Sequence, residues 1–327
     1  MHWLTGGSSK LEKRETVDGI FIHRFGKLLL PHFAHIIFLL RNRDADVIVD
    51  DLAHAIPWLS PWFSKIPGVA HFYHLHARTL NGQTSRHIAP LISTIEKRYG
   101  FIYKSWPFVA FSSSSASDLH SVGIERNRVI KIPLGVDTDL FRPGIKSERP
   151  TIVYFGGMRP YKRPDHVLLL LRTILEKGHD VMLYMIGDGP SLPHLRVLAR
   201  RLRIEKNISF FGKVSDSTLS SLISQAWVNV HCSISEGWGL SIIEAAACGV
   251  PTAAYKVPGV VESVKDGTTG ILVRDGDIDA LSDSVCQLLF NSTISSAQCQ
   301  AYARVYSWSV TASLWEKILK KAAEPQM

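Results

Sequence analysis

Residues 151–190 read TIVYFGGMRPYKRPDHVLLLLRTILEKGHDVMLYMIGDGP. An apolar run ends in Gly156 and Gly157, a basic turn follows, Pro164 and Asp165 open a helical pattern, and a second apolar run begins at Val181. Near-continuous apolarity without alternation marks strands covered on both faces, so this unit reads as strand, crossover helix and parallel strand. The pattern repeats outward in both directions. Towards the carboxyl end stand ISFFGK, VNVHCS, PTAAYK and GILV, with helical stretches such as DSTLSSLISQA between them. Towards the amino end stand GIFIHRF, DVIVDD, VAHFYHL, FVAFSS and VIKIPLG. Alternating strands and helices predict an α/β fold of parallel sheets flanked by helices.

At 327 residues the chain exceeds what one core organises, and two domains are expected. Residues 135–150, GVDTDLFRPGIKSERP, combine turn residues and charges without periodicity and precede a fresh strand, which suits an interdomain linker. Ligands of open parallel sheets gather beyond the carboxyl ends of the strands, so two such sheets facing each other would hold a substrate in the cleft.

Composition narrows the classes. No apolar run reaches the ~18 residues of a spanning helix, and KLLLPHFAHIIFLLR is interrupted by Pro31, His32 and His35, so a soluble or peripheral protein is expected. MHWLTGGSSKLEKRE lacks the apolar centre and cleavage site of a signal peptide, and a cytoplasmic location is expected. Cys232, Cys248, Cys286 and Cys299 form no Cys-x-x-Cys pair, which fits free thiols in a reducing compartment. Residues 1–150 hold 19 Lys+Arg against 13 Asp+Glu, net +6; residues 151–327 hold 18 against 16, net +2. The basic first half points to an anionic partner such as a phosphate-bearing acceptor or an acidic lipid surface, an ordinary basic surface being the plainer alternative.

Residues 233–251, SISEGWGLSIIEAAACGVP, place Glu236 and Glu244 among apolar and small residues. Gly249 and Pro251 stop a helix that starts near Gly237 to Leu240, just beyond the strand VNVHCS. Glu236 then lies in the strand-to-helix turn and Glu244 about 7 Å further along the helix axis. Gly237 and Gly239 let backbone N–H groups approach a ligand at a helix start suited to phosphate. The carboxylates would accept hydrogen bonds from hydroxyls, so a sugar beside a diphosphate would use both features. A capping Glu236 and a solvated Glu244 are the plain alternative. In the turn after Gly156 and Gly157, Arg159 and Lys162 supply countercharge; neither a Walker loop nor a Gly-x-Gly-x-x-Gly fingerprint is present.

These segments resemble the retaining glycosyltransferases of the GT-B fold, family four. The resemblance is carried by EGWGLSIIE and CGVP, by GGMRPYKRP, IGDGP, FFGKVSDSTL and VKDGTTGILV, and by the linker IPLGVDTDLFRP. It implies two Rossmann-like domains facing across a cleft: an acceptor-side domain at 1–145, a donor-binding domain at 146–305, and a terminal helix at 306–327 that crosses back. It implies that Arg159 and Lys162 hold the donor diphosphate, Glu236 binds the transferred sugar, and Glu244 binds the ribose. Backbone amides of Gly237, Trp238, Gly239 and Leu240, with Gly156 and Gly157, would complete the cradle, and the base would lie near Lys213 and Val214. His74 or His76, at the end of VAHFYHL, would lie close to the transferred sugar. The implied donor is a UDP-, GDP- or ADP-sugar, the implied acceptor a glycan or lipid-linked hydroxyl, and the implied chemistry retaining and metal-independent, with front-face attack.

Other readings remain open at this level. Alternation puts His71 on the opposite face from His74 and His76, against a zinc site. Three Asp-x-Asp patterns, Asp137/Asp139, Asp275/Asp277 and Asp277/Asp279, fall where Asp serves as turn former or cap, so no metal is expected. A glycosidase would need two carboxyls flanking a bond, which one turn and helix provide poorly. Residues 27–43, apolar with basic ends, suit peripheral attachment to an anionic membrane or a buried helix equally. Nucleic acid is not an expected partner. The chain reads as starting inside the family's second strand, without a first strand and helix, which leaves a nucleotide-sugar-binding or scaffold protein without turnover as the alternative function.

Overall fold

The computed structural model describes residues 1–7, 11–26, 30–53, 56–76 and 87–324. Strand β1 (His2–Gly6) pairs in parallel with β3 (Ile20–Phe25), which folds back antiparallel on β2 (Arg14–Val17). GIFIHRF thus runs parallel to β1, as a parallel sheet requires, while the short antiparallel strand β2 is an addition that the strand pattern did not include. Asp18 and Gly19 both adopt positive φ, 50° and 78°, the two-residue turn that joins hairpin strands. Helix α1 (Leu30–Arg41) buries Pro31, His35 and Leu39. Its other face exposes Leu30, Phe33, Ile37 and Leu40.

A separate four-stranded parallel sheet follows, in the order β4 (Ile48–Leu52), β5 (Gly68–Phe72), β6 (Phe108–Ala110) and β7 (Val129–Lys131). In β4, Ile48, Asp50 and Leu52 are buried while Val49 and Asp51 are exposed, so this strand is covered on one face only, contrary to the expectation for DVIVDD. Helices α2 (Ser60–Phe63), α3 (Ile88–Glu96), α4 (Tyr99–Ile102) and α5 (Ser113–Ser121) accompany this sheet, whose core is built on Phe72, Tyr99, Tyr103, Phe108 and Leu119.

The second half is one six-stranded parallel sheet of β8 (Thr151–Phe155), β9 (Met182–Ile186), β10 (Ile208–Gly212), β11 (Val228–His231), β12 (Thr252–Tyr255) and β13 (Gly270–Val273). Their order is β10-β9-β8-β11-β12-β13, with every pairing parallel. Strand order reverses between β8 and β11, and the crevice beyond the carboxyl ends at that point is where such sheets bind ligands. Helices α6 (Pro164–Glu176), α7 (Leu192–Leu202), α8 (Asp216–Gln225), α9 (Leu240–Ala247), α10 (Val260–Ser263), α11 (Ile278–Phe290) and α12 (Ser296–Arg304) flank it. Helix α6 buries Val167, Leu168, Leu170, Leu171 and Ile174 along one stripe.

Helix α13 (Trp308–Ala323) returns to the first half, where Leu314, Trp315, Ile318 and Leu319 pack on Val69, Val109 and Ile132. The outgoing and returning chains touch: Val136 N–H donates to the Tyr306 carbonyl at 2.7 Å, and a Cβ on Gly135 would lie 2.6 Å from Trp308 Cα. The four cysteines are free thiols, three of them buried. Two of the Asp-x-Asp members have local duties. Asp137 accepts from the Asp139 and Leu140 N–H groups, and Asp277 caps α11 through the Ala280 N–H at 2.9 Å.

Candidate active site

The turn after β8 and the turn after β11 meet at the reversal point. After Phe155 the chain runs through Gly156, a single 3-10 turn at Pro160–Lys162, and Arg163 with φ 47°, which redirects it into α6. The Gly156 backbone is approached closely, since a Cβ on Gly187 would lie 2.0 Å from its carbonyl oxygen. This turn carries Lys162 to Glu236: Nζ and Oε1 are 2.5 Å apart, with side chains 21% and 13% exposed. The same Glu236 oxygen accepts from Ser233 Oγ at 2.6 Å and lies 3.2 Å from His231 Nε2. On the far side of that imidazole, Ser241 Oγ is 3.3 Å from Nδ1. Burial alone would raise the Glu236 carboxyl, but Lys162 and His231 outweigh it and hold the group well below the usual carboxylate range. Glu236 is therefore a fixed anion among donors, already in the state that accepts hydrogen bonds from hydroxyls.

Glycine shapes the turn between Glu236 and α9. Gly239 has φ 80°, and Gly237, Trp238 and Gly239 are all buried, with Leu240 starting the helix. Glu244 lies one turn inside. Burial first, and Asp216 at the start of α8 second, push its carboxyl up to about 7. Lys213 is exposed and Val214 half-buried beyond the end of β10. Gly157 and Arg159 are exposed at the mouth, with the Arg159 stem 3.9 Å from the place of a Gly157 Cβ. From the first half, His74 comes near enough to feel both Glu236 and Lys162; burial, and then His76, lower it to about 4, so it is neutral near pH 7. The His76 ring stands 4.9 Å from His74, and its backbone N–H donates to the buried Glu96 at 2.6 Å.

Sequence reasoning thus named Lys162, Glu236 and His74, which the fold gathers into one place, and Arg159 and Lys213, which lie at its rim. It did not name His231, Ser233 or Ser241. The available signal was His231 at the last position of its strand, five residues before Glu236. Among the described residues no group of three or more His, Cys, Asp or Glu is arranged to hold a metal ion.

A sequence profile described as glycosyl transferases group 1 matches residues 136–306, just over half of the 327-residue chain. The chain belongs to this family. A second profile, glycosyltransferase family 4, matches residues 1–140. Among solved structures, sucrose-phosphate synthase from Thermosynechococcus elongatus superposes with a TM-score of 0.77 at 18% identity, covering 97% of this chain and 87% of that one. Anabaena HepE in complex with UDP-glucose gives 0.74 at 16% identity, covering 92% and 85%. The fold is GT-B, as the resemblance implied. D-inositol 3-phosphate glycosyltransferase 2 from Catenulispora acidiphila is 30% identical over 240 residues, 66% of this chain and 56% of that protein. A GDP-mannose-dependent α-(1-6)-phosphatidylinositol monomannoside mannosyltransferase from Mycobacterium tuberculosis is 29% identical over 211 residues, 59% of this chain and 54% of that protein. The chain spans little more than half the length of these two relatives.

Proposed function

We propose that this chain is a retaining hexosyltransferase that moves a sugar from a nucleotide-diphosphate sugar to an acceptor hydroxyl. One observation carries the reading: Lys162 and Glu236, from two different strand ends, meet at 2.5 Å where the strand order reverses. The donor diphosphate would displace Glu236 from Lys162 and lie between that lysine, Arg159 and the start of α9, over Gly156 and Gly157. Glu236, still held by His231 and Ser233, would grip sugar hydroxyls, and Glu244 the ribose, with the base near Lys213 and Val214. The C1–oxygen bond to the diphosphate breaks as the acceptor oxygen bonds C1 on the same face. The acceptor proton passes to the departing phosphate oxygen, and the cations stabilise the charge that grows there. Neutral His74 would orient the sugar from the acceptor side, with His76 behind it. No metal is required for these steps, and excess chelator should leave turnover unchanged.

The relatives and neighbours carry GDP-mannose and UDP-glucose in their names, so both bases stay in the donor panel, with ADP-sugars beside them. The acceptor is read as a hydroxyl on a glycan or lipid-linked molecule bearing phosphate, in keeping with the basic first half. The exposed stripe Leu30, Phe33, Ile37 and Leu40 on α1, ending in exposed Arg41 and Arg43, would lay this half on an anionic membrane. Among the described residues no helix is long and apolar enough to cross a bilayer. Co-sedimentation with anionic but not neutral vesicles tests the attachment.

The site itself is tested by thermal stabilisation with UDP-, GDP- and ADP-sugars, where a bound donor at about 100 times its dissociation constant adds about 2.7 kcal/mol. Arg159→Ala or Glu244→Ala should abolish the shift, and the anomeric configuration of the product tests retention. The division of the first half into a three-stranded and a four-stranded sheet favours a second reading, binding of nucleotide sugar without transfer. A donor-induced shift with no transfer to any acceptor would select it.

A further inference from the structure

A contact away from the donor side chains joins the two halves. Glu262, on α10 of the second half, accepts hydrogen bonds from the backbone N–H groups of Ser113 at 2.6 Å and Ser114 at 2.8 Å. These are the first two residues of α5 in the first half. Such N–H groups have no partner inside their own helix, and a carboxylate there also meets the positive end of the helix dipole. Ser112 Oγ takes the Ser115 N–H at 2.9 Å, so the cap of α5 is completed from across the cleft. Burial pushes the Glu262 carboxyl up, but hydrogen bonding from Ser113 and Ser114, led by their backbone N–H groups and joined by their hydroxyls, outweighs it and keeps the group below its ordinary range. Its backbone is anchored as well, because the Tyr302 hydroxyl donates to the Glu262 carbonyl at 2.6 Å.

Two neighbouring contacts lead from this cap to the reacting groups. Ser115 Oγ lies 2.7 Å from the Tyr73 carbonyl and 3.2 Å from the Gly237 carbonyl. A Cβ on Gly237 would stand 2.9 Å from the Tyr73 oxygen, so bare backbone meets backbone there. Tyr73 precedes His74, and Gly237 follows Glu236. On the other side, Gly259, three residues before Glu262, packs so tightly that its Cβ would lie 2.1 Å from the Glu236 carbonyl oxygen. Glu262, Gly259 and Glu236 thus form one short path from the helix cap to the donor side.

We propose that Glu262 is a positioning residue: by capping α5 across the cleft it fixes the register between His74 on the acceptor half and Glu236 on the donor half. The proposal rests on the transfer reading above, and its effect belongs on turnover rather than on donor binding. A clean variant exists on the partner side. Ser113 is the first helical residue, and Ser112 before it is extended at φ −142° and ψ 166°, so Ser113→Pro keeps the helix and deletes one N–H that Glu262 holds. Ser113→Ala is the control, since Ser113 Oγ also receives Lys131 Nζ at 2.9 Å.

With the full chain, Glu262→Ala and Ser113→Pro should each lower kcat at least about tenfold while donor KM stays within about twofold, and Ser113→Ala should resemble the parent. The double variant should be no slower than the slower single, as expected of two ends of one contact. Without donor, small-angle scattering should show a larger radius of gyration for Glu262→Ala and Ser113→Pro, but not for Ser113→Ala. Unchanged kcat and unchanged radius would overturn the proposal, as would parallel loss of donor affinity and kcat. If the parent transfers no sugar, the transfer reading has failed, and the scattering comparison alone decides whether Glu262 latches the halves.

Discussion

Glu236 and Glu244 share a motif but face different electrostatic environments. Glu236 is ionised because Lys162 and His231 outweigh its burial, whereas at Glu244 a second acid, Asp216, adds to the effect of burial. Glu236→Gln should therefore release Lys162 and cost about 100-fold or more in kcat/KM, about 2.7 kcal/mol of transition-state stabilisation, read by steady-state kinetics. For Glu244 the effect shows in stability. Its folded value of about 7 lies above the ordinary 4.5. Between these values the folded chain keeps a proton that the unfolded chain has released, so stability falls as pH rises through that window. Glu244→Gln should remove this loss and melt about 2–4 °C higher at pH 8, corresponding to roughly 1 kcal/mol, while the two proteins converge towards pH 4.5. The same variant should bind nucleotide sugar more weakly, which titration at pH 8 would record.

The elements beside the site are held by glycines that no other residue replaces without displacement. Gly259 combines φ 78° with a would-be Cβ contact of 2.1 Å on the Glu236 carbonyl, and that carbonyl is backbone, which cannot swing aside as a side chain would. Gly259→Ala should cost about 1–3 kcal/mol in chemical denaturation and move Glu236 enough to abolish the donor-induced thermal shift. The α9 turn obeys the same rule through Gly239, and Gly249, at φ 71°, ends that helix where the residue pattern places its stop. Element existence and type were legible along most of the chain because β8, β11 and β12 are buried at every position, β9 is an apolar run buried at three of its five, and helices of clear period lie between them. Strand β2 was missed for a local reason: Arg14–Val17 is a four-residue, mostly exposed run with Val17 as its one apolar residue, so despite the Asp18-Gly19 turn signal only GIFIHRF after it read as a strand.

At the scale of the molecule, the halves are tied by the Gly135–Trp308 crossing, the Glu262 cap and α13. Trp315 on α13 meets the His71 ring edge-on at 4.9 Å, and its helix covers Val69, Val109 and Ile132. Trp315→Ala should loosen this docking, costing about 1–3 kcal/mol and raising the rate of limited proteolysis within 135–150, followed by gel electrophoresis. A variant cleaved no faster than the parent would show that the crossing and the cap suffice without the aromatic contact.

By itself the amino-acid sequence determined the α/β class, the six parallel strands of the second half, the helix stop at Gly249 and the candidacy of Lys162, Glu236 and Glu244, because burial period, turn chemistry and charge are local properties. Only the tertiary structure decided which of those charges pair. Lys162 and Glu236 are 74 residues apart in sequence and meet because the strand order reverses between β8 and β11. His231 gains its role from the carboxylate and hydroxyl on either side of it, and Glu262 from a helix end 148 residues away. Ionisation follows the same division: residue type sets the ordinary value, and the neighbours that folding delivers hold one glutamate charged and push the other to near neutrality.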